Sequence, residues 1–337
     1  MRILPASTYG RVSSQRLRGL ALVLALSLGA AGTGTTGCAP AIRRTPGQAP
    51  PTPAQIAALW LAPDDISRRD VFHGPGGKSL VPTPGERYKV TEVDTTGASP
   101  GYDVVDSRGR KWKVKLGEEV QPEIVASRLI WAIGFHQPPM YYVDAIQLDG
   151  GKPEHQGQPA RLRAEFGYDK EGDWSWHENP YVGTRQLNGL LVANLILNNW
   201  DIKPSQNRIY EMDDRRQRPR RRYVVQDLGA SLGMTAWPTG TKNNIANFEL
   251  QRLIKNATAD GLEFDYAARH TELLEGITAA DVVWTCRLLD QLTDAQWDDM
   301  FRAANYDPDL RRRFILKLKS KVQEGLALAA RDGAPRR

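Results

Sequence analysis

One part of this 337-residue sequence carries lysines, carboxylates and carboxamides in an order that could do chemistry. A glycine-containing turn, with Gly97 and Gly101, joins two strand-like stretches. A third such stretch ends in Lys115, with Lys113 on the same face because side chains alternate along a strand. The helical stretch that follows brings Glu123 near its start. Further on, a loop from Asn198 to Asn207 holds Asp201, Lys203 and Gln206, and a short hairpin then leads to Gln226-Asp227-Leu228-Gly229. Carboxylate and carboxamide oxygens are the ligands a hard divalent cation takes, and lysines offset the charge of an anionic ligand. Singly, these residues have plain structural readings. Asp-Leu-Gly makes turns, Asp201 can cap a turn through its side chain, and Glu123 can face solvent. The functional reading rests on their order and on the elements between them.

Those elements follow from patterning. Strands are expected at 88–93, 102–106 and 111–116, the last two joined by a turn at Ser107–Arg110. In the third, Trp112, Val114 and Leu116 share the face opposite the lysines. Residues 121–135 have helical spacing, with Pro122 suited to the first turn and Gly134 to the end. Pro138-Pro139 opens a further extended piece, 140–148, and 150–161 reads as a surface excursion. A helix is expected at 184–198, then strands at 208–211 and 223–226 around an arginine-rich turn, then helices from Phe248 to Ala330. Strands with one helix, followed by helices, predict an α+β fold. The expected divisions are a leader at 1–37, a tether and short helix at 38–65, a strand-rich lobe at 66–150 and a helical lobe at 151–337.

The ordered set resembles the protein-kinase-like fold, over roughly residues 85–235. It is most similar to the atypical branches: HipA-like kinases, phosphatidylinositol 3- and 4-kinases and secreted Golgi-type kinases. The resemblance implies a small strand-rich N-lobe with one helix, a helical C-lobe, and a cleft between them. It implies ATP or another nucleoside triphosphate with Mg²⁺ or Mn²⁺ as cofactor. Lys115 would bind phosphate beneath the turn of Gly97 and Gly101, with Glu123 positioning it. Asp201 would orient the acceptor, Lys203 would offset charge on the phosphoryl group, and Asn207 and Asp227 would hold metal. Two alternatives stay open: Lys113 competes with Lys115, and Gln206 competes with Asn207, which lies six residues after Asp201 where five is usual. The implied activity is phosphoryl transfer to an unidentified acceptor. A catalytically silent binding or scaffold protein of the same fold is the alternative.

The ends of the chain bear on location. Residues 1–37 hold Arg2, Arg11, Arg16 and Arg18, no acidic residue, and an apolar run from Leu20 to Ala31. That run is too short to span a bilayer and reads as a secretory signal. Thr35-Thr36-Gly37-Cys38 resembles a bacterial lipobox, which implies lipidation of Cys38 and a cell-envelope location, facing the periplasm or the outside. The Pro-rich residues 39–55 read as an extended tether. The chain has 45 Lys+Arg against 39 Asp+Glu, a formal charge of +6. Four of those six charges lie in the leader, leaving +2, so a nucleic-acid partner is not expected. Two cysteines exclude a disulfide scaffold, and Cys286 reads as a buried structural thiol. The arginines of 215–222 read as a solvated hairpin tip, and Trp174, Trp176 and Tyr181 as a packed loop. The five histidines show no metal-ligand spacing. Gly74-Pro75-Gly76-Gly77-Lys78-Ser79 lacks the first glycine of a phosphate loop and reads as turns.

Overall fold

The computed structural model describes residues 49–95, 99–203, 206–258 and 261–332. The leader, Cys38 and Gly97 lie outside the described residues. A short helix, α1 (Pro53–Leu59), opens the described chain, capped by a reciprocal pair of bonds between Thr52 and Gln55. Residues 66–80 form three single helical turns, including the glycine-rich stretch.

A six-stranded sheet follows. It is built from β1 (Arg87–Asp94), β2 (Gly101–Val105), β3 (Lys111–Leu116), β4 (Met140–Val143), β5 (Gln147–Asp149) and β6 (Ala160–Ala164), in the order β4-β6-β3-β2-β1-β5. All its pairings are antiparallel except β1 with β5. The helix α2 (Val120–Ala132) sits between β3 and β4 in the chain. Two expectations are corrected here. Residues 140–148 are two strands on opposite edges of the sheet, because the chain turns at 144–146. Residues 160 and 161, expected in the surface excursion, belong to β6, which pairs with β3, so the sheet takes in strand residues as far as Ala164.

The sheet has two unlike faces. Tyr102, Val104, Trp112, Val114, Leu116 and Leu162 point one way into a small apolar cluster. The alternate residues, Asp103, Lys113, Lys115, Arg161 and Arg163, point the other way and line a cleft. Period-two alternation produces both faces from the same strands.

The second lobe contains a three-stranded sheet, β7 (Tyr168–Asp173), β8 (Asn207–Met212) and β9 (Arg221–Val225), and the hairpin β10 (Ile254–Thr258) and β11 (Gly261–Phe264). Its helices are α3 (Arg185–Ile196), α4 (Ile245–Leu250), α5 (Ala279–Leu289), α6 (Asp294–Arg302), α7 (Pro308–Leu326) and α8 (Ala329–Asp332). Thr184, Thr278, Thr293 and Asp307 cap α3, α5, α6 and α7, each cap worth about 1 kcal/mol. The large core joins these helices to α2, whose Ile124, Val125, Leu129 and Ile130 are fully buried. Each such side chain contributes about 1.5–3 kcal/mol, so α2 is fixed against the second lobe while its Glu123 reaches the sheet. Gly134 ends α2 with φ +104°, a conformation that favours glycine. Cys286 is buried in this core, and burial pushes its thiol up to about 12. Trp174, Trp176 and Tyr181 are buried as well, the packed loop expected. The architecture is α+β and two-lobed.

Candidate functional site

Cross-strand register sets the charged rows of the cleft. Gly101, Lys115 and Arg161 lie side by side on β2, β3 and β6, and Asp103, Lys113 and Arg163 form the next row. Like charges opposite one another destabilise a sheet, so each row needs anions. Glu123, wholly buried, supplies them for the first: one oxygen lies 3.1 Å from Lys115 Nζ and the other 3.1 Å from Arg161. In the second row Lys113 pairs with Asp103 at 2.7 Å and Arg163 with Glu165 at 3.0 Å. Lys113 is thus engaged within its own sheet, whereas Lys115 faces three carboxylates from other segments.

Those three are Glu123, Glu119 at 3.0 Å and Asp227 in a short contact. Burial works against the Lys115 charge, but Glu123 and Asp227 outweigh it and hold the pKa above the usual lysine value. Burial likewise raises the carboxyls of Asp227 and Glu119, and Lys115 more than reverses this together with Lys242 at Glu119 and with Arg161 and Arg163 at Asp227, leaving both below the usual range. Glu119 occupies the N-cap position of α2 yet makes no cap bond. Its carboxylate goes to Lys115 and, at 2.6 Å, to Lys242. Gly229 makes room for it: a Cβ there would lie 2.6 Å from Glu119 Cβ.

The loop and the Asp-Leu-Gly turn meet across the β8–β9 hairpin. Asn207 pairs with Val225 in register, and the Gln226 amide donates to the Gln206 carbonyl at 3.1 Å. This places Gln206 beside Asp227. Gln206 Nε2 donates to Asp201 Oδ2 at 3.0 Å and to Asp227 Oδ2 at 3.1 Å, while Lys203 Nζ lies 2.6 Å from Asp201 Oδ2. Asp227 sits at φ +57°, outside the common regions for a non-glycine residue, and Leu228 anchors the turn in the core. Strain of this kind persists where surrounding packing over-determines it.

Asn207 is not among the residues that line the cleft, and both atoms of its buried carboxamide lack a hydrogen-bond partner among the described residues. Strand alternation sends Gln206, Arg208 and Tyr210 into the cleft and turns Asn207, wholly buried, to the opposite face of β8 with Ile209. The cleft residue is Gln206, at the usual spacing from Asp201. Gly101 borders the cleft with no side chain to obstruct it. Three residues the sequence reading missed are Arg161, Arg163 and Glu119. The run Ala160-Arg161-Leu162-Arg163-Ala164 alternates with period two, a signal that identifies the strand and its charged face.

The cleft has a volume of about 570 Å³. Among the described residues most of the side chains that line it are charged or polar, with the Tyr210 ring among them and the aliphatic stems of lysines and arginines adding apolar surface. Such a wall suits a phosphorylated ligand. Two aspartates and a carboxamide converge opposite a lysine, so the donor set also fits a hard divalent cation.

No protein-family model matches the chain, and no curated protein sequence matches it. Among solved structures it is similar to a Helicobacter pylori proinflammatory kinase, CtkA, with a TM-score of 0.49 and 9% identity over 74% of this chain and 98% of that one.

Proposed function

We propose that this cleft binds the phosphates of ATP or another nucleoside triphosphate and transfers one phosphoryl group to a hydroxyl acceptor. The observation that supports it best is the meeting of Lys115 with Glu123 from α2 and Asp227 from the turn after β9, at an open cleft. Lys115 binds phosphate oxygen and Glu123 positions it. Asp227 and Gln206 would hold Mg²⁺ or Mn²⁺, which when bound neutralises phosphate charge. Asp201 orients the acceptor hydroxyl and takes its proton as the acceptor oxygen bonds to the terminal phosphorus. The bond from that phosphorus to its bridging oxygen breaks, and the diphosphate leaves. Lys203 offsets charge on the group in transit.

A second reading is a binding or scaffold protein that holds a phosphorylated ligand without transfer. It is favoured by the Lys115–Asp227 and Lys203–Asp201 pairs, which leave both aspartates neutralised by lysine. Both readings place the protein at the cell envelope, exported by residues 1–37 and anchored through a lipid on Cys38.

Thermal unfolding of the full chain with ATP and Mg²⁺ or Mn²⁺ tests the site. A rise in midpoint is expected, abolished by Asp227→Ala; no rise with either metal sinks nucleotide binding. Release of labelled terminal phosphate to an acceptor or water then separates the readings, since binding with no turnover leaves only the second. For the anchor, Cys38→Ala should move the protein from the membrane fraction to the soluble one, and unchanged membrane association refutes lipidation.

A further inference from the structure

Away from the cleft, two histidines distant in sequence converge on one carboxylate. His177 lies in the loop between β7 and α3, and His270 precedes the helical turn Thr271–Leu274. His177 Nε2 is 2.9 Å from Glu272 Oε1, and His270 Nδ1 is 3.0 Å from the same oxygen. All three ligand atoms lie within 4.8 Å of one another. The rings meet edge to face with centroids 5.2 Å apart. We propose that His177, His270 and Glu272 form a zinc site.

The donor set decides the metal. Two imidazole nitrogens and one carboxylate oxygen suit Zn²⁺, whereas Mg²⁺ prefers oxygen alone. Tetrahedral zinc with bonds near 2.0–2.1 Å holds neighbouring donors about 3.3 Å apart. The two contacts to Glu272 therefore need to open by about 0.3–0.4 Å, and the two imidazole nitrogens, within 4.8 Å of each other, close to that spacing as they turn onto the ion. The side chains are 34%, 24% and 30% exposed for His177, His270 and Glu272, which leaves an open side for water as the fourth ligand.

The supports of the site are rigid. Trp174 and Trp176 are buried just before His177, and the Trp174 indole donates to the Val224 carbonyl at 3.2 Å. Asn179 donates to the carbonyls of Ser175 and Trp176 and accepts from the Tyr181 amide, closing the loop around His177. Leu273 is buried beneath the other two ligands. Ligands whose geometry is set in advance lose little freedom on binding. Bound zinc would tie the loop before α3 to the segment before α5, some 95 residues apart in sequence.

The test is titration of the tag-free, EDTA-stripped full chain with Zn²⁺ by calorimetry, with the d–d absorption of Co²⁺ as a second readout. One equivalent is expected at a dissociation constant below about 10 μM, with tetrahedral cobalt absorption. His177→Ala and Glu272→Gln should each weaken zinc at least about tenfold, while Asp227→Ala leaves it unchanged. Glu272→Gln keeps the shape of the side chain, so it decides the matter should His177→Ala fail to fold. No zinc uptake by the folded protein at about 100 μM metal, or uptake indifferent to Glu272→Gln, overturns the site.

Discussion

Each lobe holds a lysine largely shielded from solvent, and the two are held in opposite ways. Lys115, 16% exposed on the sheet, faces Glu119, Glu123 and Asp227. Lys321 on α7 is wholly buried in the helical core. Its ammonium contacts Asn198 Oδ1, lies 3.5 Å from the Leu195 carbonyl and sits 4.9 Å from the Phe248 ring. Burial lowers its pKa to about 7, assisted by Lys317 and opposed by Glu324 and Asp265. Burial, with a second lysine nearby, thus lowers the pKa of a core lysine, whereas carboxylates in direct contact raise that of the cleft lysine. The cleft lysine stays cationic for an anionic ligand. The core lysine serves as a strut, holding Asn198 at φ +53° where the loop to Asp201 begins.

Replacing each lysine by methionine should separate them most sharply. Lys115→Met leaves Glu119, Glu123 and Asp227 facing one another across a lost cation. The expected cost is about 3 kcal/mol, together with loss of all thermal stabilisation by ATP and Mg²⁺. Lys321→Met puts an apolar chain of similar length into an apolar site and removes one donor from Asn198, so about 1–2 kcal/mol is expected. Urea unfolding measures both. Equal losses, or retained nucleotide stabilisation in Lys115→Met, would break the contrast.

The pH dependence of stability sharpens it further. The pKa of Lys321 is lower in the fold, about 7, than in the unfolded chain, about 10.5. Between those values the unfolded state binds one more proton, so this residue makes stability rise with pH, by about 1.4 kcal/mol per unit. Below pH 7 both states are charged and the penalty is constant. The difference in unfolding free energy between the native chain and Lys321→Met should therefore slope between pH 7.5 and 9, within about the window set by the two pKa values. A flat difference would mean that Lys321 is charged in the core.

Why some of the site is legible in the sequence and some is not follows from how each residue is placed. Lys115 and Glu123 are positioned by local periodicity, a strand ending in one and a helix starting near the other, and they meet as expected. Asp201 and Asp227 are brought together by a hairpin visible as two short strands. The choice between Gln206 and Asn207 turned on strand parity, which a count of residues from Asp201 leaves open. Arg161 escaped because its strand pairs with β3 across 48 residues of chain, and the glycine-rich stretch before it reads as loop. His177, His270 and Glu272 meet only through packing of the helical lobe, which no local spacing encodes.

The smallest expected effect concerns what the charged cleft ignores. A base bound against an aromatic or apolar surface gains about 1–3 kcal/mol by stacking. Here the described wall supplies one aromatic ring, Tyr210, beside Lys113 paired with Asp103, Arg163 paired with Glu165, and Lys170, whose pKa burial lowers with the help of Arg208. A purine laid on such a wall meets a single ring and displaces water from many charged groups without replacing their hydrogen bonds, which offsets the dispersion gain. Affinity should then reside in the phosphates. With Mg²⁺ present, inorganic tripolyphosphate should bind within about threefold of ATP, a difference below about 0.7 kcal/mol, and adenosine should not bind measurably. Competition calorimetry reads this directly. If ATP binds more than about thirtyfold tighter than tripolyphosphate, the base has an apolar seat and recognition by charge alone is refuted. Equal binding would mean that the cations of the cleft, Lys115 kept charged by its carboxylates among them, select the ligand by its phosphate groups and not by its base.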